Sequence, residues 1–315
     1  MAFKGIGFVP EGTNIPFLSL RTIAFILSGL AIIASIALFS SRGLNYGIDF
    51  IGGTSIEIRH KGGPADIGDI RSKVGALNFG DVQVQQFNDP RDVLVRIELQ
   101  KGGEEANQVA LDKIKKALGE AYEFRNTEVV GPTVSQELTR AGLIAVLTAI
   151  FVVLIYIWLR FEWQFSLGAV IALIHDVILT IGIFSLLQLE FTLSIIAALL
   201  TIVGYSLNDT VVVYDRVREN LRKFKKMDLA ELLNLSINNT LSRTILTSVT
   251  TLIALFALFF FGGEVIRGFV FAMIWGVVVG TYSSIFIAAP VLLLLGVKRD
   301  WSGLGGSKYK EPGKA

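Results

Sequence analysis

Residues 202–216 read IVGYSLNDTVVVYDR and place a carboxylate, Asp209, inside a run of otherwise apolar residues. A run of about 20 mostly apolar residues is long enough to cross the hydrocarbon core of a bilayer as a helix. A charged side chain at the centre of such a helix costs at least about 2.5–3.5 kcal/mol on insertion scales. The stretch therefore predicts a membrane protein with an acid that needs a physical reason to be there.

The composition of the whole chain agrees with a membrane protein. The 315 residues are 52% hydrophobic and 18% charged, and the mean hydropathy of +0.59 is far above that of a soluble globular protein. There are no cysteines and only two histidines, so disulfides and thiolate chemistry are excluded and no metal site is expected. The sequence has no phosphate-binding loop or dinucleotide fingerprint, and nothing in it predicts an enzyme or nucleic-acid binding.

Six apolar runs are each long enough to span a membrane. They are residues 20–41, 138–159, 164–186, 192–214, 244–261 and 268–296. The first is predicted to be a retained anchor, because it is too long for the apolar core of a signal peptide and has no small-residue cleavage site. We therefore predict a cytoplasmic segment (1–19), a domain outside the membrane (42–136), a five-helix bundle (137–297) and a cytoplasmic tail (298–315).

Basic residues in the short loops predict the orientation. The loop 216–226, RVRENLRKFKK, has six basic residues against the single acid Glu219, whereas the loop 187–192, LQLEFT, has no basic residue. Lysine and arginine accumulate on the cytoplasmic side. Both termini are therefore predicted inside, in agreement with Lys298 and Arg299 in the tail.

The segment 42–136 has the patterns of a soluble α+β domain. Alternating residues predict strands in TSIEIRH (54–60), DVQVQQF (81–87), DVLVRIEL (92–99) and YEFRNTEVV (122–130), and helical patterns occupy 66–77 and 103–119. The order β-α-β-β-α-β is that of a ferredoxin-like module. The predicted fold class is a membrane all-α bundle of six transmembrane helices with an inserted α+β ferredoxin-like domain outside the membrane.

Two further segments predict packing in the bundle. MDLAELLNLSINNT (227–240) is amphipathic and predicts a short helix on the inner membrane surface, or else an ordinary connector. In the last span, Gly276, Gly280 and Ser284 are four residues apart and form a small-residue seam for close helix contact.

Asp209 is the first candidate functional residue. It lies roughly 8–9 Å inside the boundary set by the basic loop, at 1.5 Å of rise per residue. Removal from water penalises the charged form of a carboxyl group, so such an acid could exchange protons near neutral pH. The alternative is a static carboxylate held by a neighbouring helix. Helical spacing places it in a polar stripe with the following residues: Thr201, Tyr205 and Asn208.

His175 and Asp176 are a second polar pair, near the middle of the third span. Adjacent residues on a helix point about 100° apart, so the pair is expected to bridge two neighbouring helices. A proton relay and a packing role both remain open.

Arg243 begins the fifth span, and hydroxyl residues follow it along one face: Thr244, Thr247, Ser248 and Thr251. The hydroxyl groups either line a wet path or bond to backbone carbonyls. The arginine either extends toward water or pairs with a buried acid. Asp215, beside Arg216 at the cytoplasmic edge, is expected to be solvated or locally paired.

Five segments together form a characteristic series of motifs. They are GIDFIGG (47–53), VGPTVSQEL (130–138), LIHD (173–176), GYSLNDTVVVYDRVREN (204–220) and LSRTILTSVTT (241–251). The first is similar to the glycine-rich signature, and the other four resemble the membrane motifs, in the expected order, of the SecD/SecF preprotein translocase family of the resistance-nodulation-division superfamily. The resemblance covers nearly the whole chain from residue 20 to residue 296.

The resemblance implies half of a pseudo-symmetric assembly that requires a SecD partner. It implies work with the SecYEG channel and the SecA motor, with YajC as a further candidate partner, in the bacterial plasma (inner) membrane. The assembly would use the proton motive force to move preproteins late in translocation, without a cofactor, and sodium would replace protons in some relatives. In that picture Asp209 carries the proton and Arg243 is its functional neighbour.

The signature segment, residues 47–53, also has a structural interpretation. Gly47, Gly52 and Gly53 would allow a tight turn where the first helix becomes a strand, and Asp49 would cap that turn. Two other functions remain open: a small-molecule exporter subunit of the same superfamily, and a passive membrane assembly factor of the translocon.

Overall fold

The first apolar stretch leads directly into the domain outside the bundle. In the computed structural model, which describes residues 10, 13–86, 89–100, 102–263 and 265–297, a 3₁₀ turn (Phe17–Leu20) precedes helix α1 (Arg21–Arg42). The predicted tail 298–315 and most of the predicted segment 1–19 lie outside the described residues. After α1 come the short strand β1 (Asn45–Tyr46) and the one-turn helix α2 (Ile48–Ile51).

The inserted domain has the predicted ferredoxin-like order. Its elements are β2 (Gly53–His60), α3 (Ile67–Gly75), β3 (Val82–Gln86), β4 (Asp92–Ile97), α4 (Gly103–Leu118) and β5 (Tyr122–Val130). The sheet is antiparallel with the order β3-β4-β2-β5. Alternation places Ile56 and Ile58 in the core beneath the two helices, whereas Ser55 and Glu57 point to the opposite, polar face.

Five further helical stretches form the bundle with α1. They are α5 (Pro132–Arg160), α6 (Trp163–Leu187), α7 (Leu193–Lys223), α8 (Leu229–Phe261) and a last stretch made of α9 (Arg267–Ser283), a π-helical turn (Ser284–Ala288) and α10 (Ala289–Leu295). All six stretches are long and apolar enough to cross a membrane. The predicted fold class, a membrane helix bundle with an inserted α+β domain, is confirmed.

Two helices are longer than the apolar runs that predicted them. Helix α7 continues to Lys223 instead of ending at 214, and α8 begins at Leu229 instead of 244. The separate surface helix predicted from residues 227–240 was therefore wrong, as was the connector alternative. Leu232, Leu233 and Ile237 are fully buried within the bundle, so their apolar face packs on neighbouring helices rather than on lipid headgroups.

The small-residue seam of α9 packs against α7. A Cβ atom added to Gly276 would lie 2.2 Å from Ile202, and one added to Gly280 would lie 2.9 Å from Ser206. Real Cβ atoms do not approach other atoms that closely, so only glycine permits this helix separation. The close approach brings the side chains of α7 within hydrogen-bonding distance of the last stretch.

An unpredicted two-stranded sheet joins the inserted domain to the bundle. Strand β1 pairs in parallel with β6 (Glu190–Phe191), which directly precedes α7. Arg96, from the polar face of the domain sheet, bonds to Glu190 at 2.8 Å and to Asn45 at 2.9 Å. Burial raises the pKa of the Glu190 carboxyl group, and the charge of Arg96 opposes that rise. The domain is therefore in contact with the end of the helix that carries Asp209.

Candidate functional site

Asp209 is buried at the meeting point of three helical stretches. Its side chain is 7% exposed. Thr244, on α8, donates a hydrogen bond to Oδ1 at 2.6 Å, and Ser284, at the start of the π-helical turn, donates one to Oδ2 at 2.5 Å. Both carboxylate oxygens thus accept from hydroxyl groups, which offsets part of the cost of removing the charge from water.

Asp176, on α6, is a second buried carboxylate and is 1% exposed. His175 Nδ1 lies 2.9 Å from Oδ1. Ser206, on α7, and Ser283, at the end of α9, donate to Oδ2 at 2.5 Å and 2.8 Å. This carboxylate therefore joins α6 to α7 and α9 by hydrogen bonds.

His175 connects the same cluster to the first helix. Its Nε2 atom lies 3.2 Å from Ser28 Oγ on α1, and its ring stacks on Tyr282 with centroids 6.0 Å apart. The Tyr282 and Ser28 hydroxyl groups are 2.9 Å apart. The pair at 175–176 therefore contacts different neighbours, as the sequence predicted, and its two members also bond to each other.

The two carboxylates are held by adjacent residues of the last stretch. Ser283 bonds to Asp176 and Ser284 bonds to Asp209. On α7, Ser206 and Asp209 are one helical turn apart and take part in the same two groups of contacts. We name these two groups together the carboxylate cluster; its members are His175, Asp176, Ser206, Asp209, Thr244, Ser283 and Ser284.

Ser283 and Ser284 can each donate a hydrogen bond to either of two acceptors. Ser284 Oγ lies 2.5 Å from the Asp209 carboxylate and 3.0 Å from the carbonyl oxygen of Thr281. Ser283 Oγ likewise lies near both Asp176 and the carbonyl oxygen of Gly280. A hydroxyl group has one proton to donate, so the charge on the carboxylate decides which bond forms. π-helical turns such as the one that begins at Ser284 often lie at functional sites.

The predicted polar stripe of α7 is divided between the interior and the surface. Asp209 is buried and Tyr205 is half-buried, with its hydroxyl group 3.5 Å from Ser248. Thr201 and Asn208 are exposed. The helical rule placed these four residues on one side of the helix, but that side lies at the edge of the contact with α8, so only part of it is covered.

Arg243 lies on the exposed side of α8, one residue before Thr244. Among the described residues, the bonded partners of the Asp209 carboxylate are hydroxyl groups, and no ion pair joins it to Arg243. The hydroxyl residues after it have two kinds of partner: Ser248 bonds to Thr281 at 2.7 Å, whereas Thr247 donates to the backbone of its own helix. The bond to a backbone carbonyl is one of the two expected alternatives, whereas the contact between Ser248 and Thr281 joins two helices and was not expected.

The signature segment contains the expected left-handed glycines, Gly52 (φ 71°) and Gly53 (φ 120°). Gly47 instead has extended backbone, and the reason for its small size is the close approach of β6. The expectation that Asp49 caps its own turn was wrong. Its Oδ2 atom accepts a hydrogen bond at 2.9 Å from the backbone N–H of Leu193, the first residue of α7.

Asp215 is partly solvated, in line with one of the two expectations, and its ion pair is with another helix rather than a local one. Its carboxylate lies 2.8 Å from Arg160 at the end of α5, while the adjacent Arg216 pairs with Glu219 at 2.8 Å. Both pairs are at the surface, where ion pairs contribute little to stability. Asp215 is therefore an exposed acid on the same helix as the buried Asp209.

Sequence patterns did not assign a role to Ser28, Ser206 or Ser283. A lone serine in an apolar helix has the size of a packing residue, and its partner lies far away in the chain. Ser284 was expected only to allow close packing, yet it also bonds to Asp209. Within the residues that the structure describes, no group of three or more His, Cys, Asp or Glu side chains could hold a metal ion.

Comparison with protein families gives two matches that together cover most of the chain. Residues 110–298 match the model of the protein export membrane protein SecD/SecF, C-terminal, and residues 37–59 match the SecD/SecF GG motif. The protein translocase subunit SecF of Rhodobacter capsulatus is 46% identical over 315 residues, which is 95% of this chain and 94% of the relative.

The chain also resembles longer proteins that are named SecDF. The protein translocase subunit SecDF of Brucella abortus is 46% identical over 94% of this chain, which spans 39% of that relative. The crystal structure of SecDF, a translocon-associated membrane protein from Thermus thermophilus, superimposes with a TM-score of 0.83 and 36% identity. The match covers 90% of this chain and 39% of that one.

Proposed function

Since the chain belongs to the SecD/SecF family of protein export membrane proteins, we propose that its part in protein translocation is to convert proton binding at Asp209 into movement of the domain outside the membrane. The chain has the SecF role in translocation and is a multi-pass membrane protein. We further propose which residues perform the coupling, which ion is coupled, and which partners other than SecD take part.

The observation that supports the proposal is the pair of hydroxyl contacts to Asp209. Thr244 and Ser284 come from different helical stretches, and each donates to one oxygen of the carboxylate. Protonation converts one of those oxygens from an acceptor into a donor. The hydroxyl group that faces it must then turn, and the Ser284 proton has the carbonyl oxygen of Thr281 available.

The energy is sufficient for a change in helix packing. One elementary charge that crosses 100 mV is worth about 2.3 kcal/mol. Two conformations of a protein typically differ by a few kcal/mol. Proton binding and release at Asp209 would therefore change the populations of two arrangements of α7, α8 and the last stretch.

His175 and Asp176 are proposed as the second part of the relay. Asp176 shares α7 and the consecutive serines 283 and 284 with Asp209. A change of hydrogen bonding at one carboxylate would thus reach the other through one helical turn of α7. His175 extends the network to Ser28 on α1.

A SecD-like subunit is the natural partner, because longer relatives that match this chain are named SecDF. An exposed stripe on α7 fits such a partner. It consists of small and polar residues only: Ser194, Ala197, Thr201, Gly204 and Asn208. Arg243 is also exposed, on α8, and an arginine in a spanning segment normally faces protein or water rather than lipid. By contrast, the exposed residues of α5 include Leu143, Leu147 and Phe151, as expected for contact with lipid.

The remaining assignments follow the orientation inferred from basic residues. We place the loop between α7 and α8 and both termini in the cytoplasm of a bacterial cell, with the chain in the plasma (inner) membrane. The inserted domain then lies outside, where it would contact preproteins that leave the SecYEG channel after SecA has driven them in. YajC is a further candidate member of the assembly. The coupling ion is proposed to be the proton, with sodium as the alternative, and no cofactor is required.

The decisive experiment replaces Asp209 by asparagine, which keeps the shape of the side chain and removes its proton exchange. In inverted membrane vesicles containing the SecD partner, Asp209→Asn should reduce preprotein translocation to the level that the wild type retains with an uncoupler. The uncoupler should then have no further effect. Asp215→Asn is the matched control on the same helix and should behave as the wild type.

Two results would contradict the proposal. Full uncoupler-sensitive translocation by Asp209→Asn would favour the passive assembly factor. A wild type that responds to removal of sodium but not to an uncoupler would make sodium the coupling ion.

A further inference from the structure

The signature segment, residues 47–53, lies where the inserted domain meets the first residue of α7. Gly47 donates its backbone N–H to the carbonyl oxygen of Phe191 at 2.9 Å, just after β1 pairs with β6. Two residues later, Asp49 accepts the N–H of Leu193 at 2.9 Å. The segment therefore forms one hydrogen bond to the end of β6 and one to the first residue of α7, both between residues more than a hundred positions apart in the chain.

Helix α7 lacks a cap of its own at this end. Thr192 occupies the N-cap position, but its side chain accepts no capping hydrogen bond and its hydroxyl group lies 2.7 Å from Ser194 Oγ. The first N–H groups of a helix have no partner within the helix and favour a negatively charged acceptor. Asp49 supplies that acceptor from a different part of the fold.

The same segment is fixed to the domain on its other side. Gly53 begins β2, the strand that pairs with both β4 and β5. A Cβ atom on Gly53 would lie 2.6 Å from the carbonyl oxygen of Ile97 in β4, so the glycine lets the chain enter the sheet in direct contact with its neighbour. Movement of residues 47–53 would therefore move the sheet.

The segment also packs closely against residues 190–192, which directly precede α7. A Cβ atom on Gly47 would lie 2.9 Å from Glu190 Oε1 and 3.0 Å from the Thr192 side chain. The rings of Phe50 and Phe191 are 5.8 Å apart. The segment thus contacts residues 190–192, directly before α7, by a hydrogen bond, steric fit and an aromatic contact, and Asp49 adds the hydrogen bond to α7 itself.

We propose that Asp49 is a positioning residue that transmits movement of α7 to the domain outside the membrane. The inference rests on the proposed function, because it requires that α7 moves when Asp209 gains or loses a proton. Asp209 is on the same continuous helix, about 24 Å from Leu193 at 1.5 Å per residue. A helix transmits a displacement along its axis as a rigid element, and the Asp49 contact then converts that displacement into movement of β2.

The test measures the two movements separately in the full chain with its SecD partner, in vesicles with an imposed proton gradient. The chain has no cysteines, so pairs of introduced cysteines can carry spin labels. One pair, at Leu159 and Glu219, reports α7 against α5. The other, at Asp112 and Phe260, reports the domain against the bundle. In the wild-type background both distance distributions should change when the gradient is applied.

In Asp49→Leu, the α7 pair should still respond while the domain pair loses at least half of its change. Asp49→Asn keeps an oxygen acceptor and should restore the response. Asp66→Leu is the matched control, because Asp66 caps a helix inside the domain through Gly68 and Asp69. It should leave both responses as in the wild type.

The outcomes separate this inference from the function on which it rests. If the α7 pair responds and the domain pair of Asp49→Leu changes as in the wild type, the inference is overturned alone. If the α7 pair of the wild type does not respond, the proposed function fails and the inference fails with it. If Asp49→Leu does not assemble, Gly47→Ala perturbs the same contact by steric overlap with Glu190, and a full domain response in that variant overturns the inference.

Discussion

The Ser284 hydroxyl group donates a hydrogen bond to the Asp209 carboxylate at 2.5 Å, across the contact between the last helical stretch and α7. Ser284 is also the first residue of a π-helical turn, and its neighbour Ser283 bonds to the other buried carboxylate. The last stretch therefore contacts both acids through two successive residues, at the point where its helical geometry changes.

Removal of the Ser284 hydroxyl group should impair proton-driven translocation. Hydrogen bonds to charged groups are worth about 1.5–3 kcal/mol, and about 1.4 kcal/mol corresponds to a factor of ten. We expect Ser284→Ala to lower the uncoupler-sensitive rate of translocation in vesicles by roughly tenfold or more. A Ser284→Ala variant that keeps the wild-type uncoupler-sensitive rate would remove this contact from the mechanism.

Widening the seam between α7 and α9 should destabilise the bundle. The added methyl group of Gly276→Ala would lie 2.2 Å from Ile202, and forced overpacking typically costs about 1–3 kcal/mol. We expect a lower melting temperature in detergent. Gly29→Ala, on α1, meets open space in the described structure and should be neutral or slightly stabilising. A neutral Gly276→Ala would show that the helices separate without cost.

If the small-residue stripe of α7 faces the SecD partner, a large side chain in the stripe should weaken the contact with that partner. Ala197→Leu would prevent close approach of a second helix, so we expect it to reduce recovery of the SecD partner when the complex is purified through this chain. Ala145→Leu makes the same change on the exposed surface of α5 and should leave recovery unchanged. If both variants retain the partner equally, the stripe faces lipid or another protein.

The Glu190 carboxyl group, which lies outside the membrane-spanning helices, should make the free energy of unfolding depend on pH. Burial raises the pKa of its carboxyl group, so the folded protein binds this proton more tightly than the unfolded chain does. The free energy of unfolding should therefore decrease as pH rises from the ordinary glutamate pKa of about 4.3 through the raised value in the folded protein. Melting temperatures in detergent over this range should show the slope in the wild type and a smaller slope in Glu190→Gln. The exposed Glu120→Gln should leave the slope unchanged, and an unchanged slope in Glu190→Gln would contradict the prediction.

The fold class, and the acid on which the proposal depends, could both be predicted from local sequence patterns. Spans are set by the length of apolar runs, and the strands and helices of the inserted domain follow from alternating and helical spacing, because each pattern reports burial on one face of a local element. Asp209 could be identified for the same reason, because a charged residue within an apolar run departs from the local pattern. The helix ends were less well predicted, since α8 begins at Leu229, where amphipathic residues pack on protein rather than lie on the membrane.

The hydrogen-bond partners of the two acids could not be predicted, because they come from helices that are distant in the chain. Ser206, Ser283 and Ser284 acquire their roles from the small separation of α7 and α9; the glycine spacing predicted a close helix contact but not that α7 is the partner. Asp49 bonds to Leu193, whose amide lies 144 positions later in the chain. Contacts between distant segments depend on how the helices pack. Side-chain type and spacing along one segment do not identify which residues of another segment it contacts.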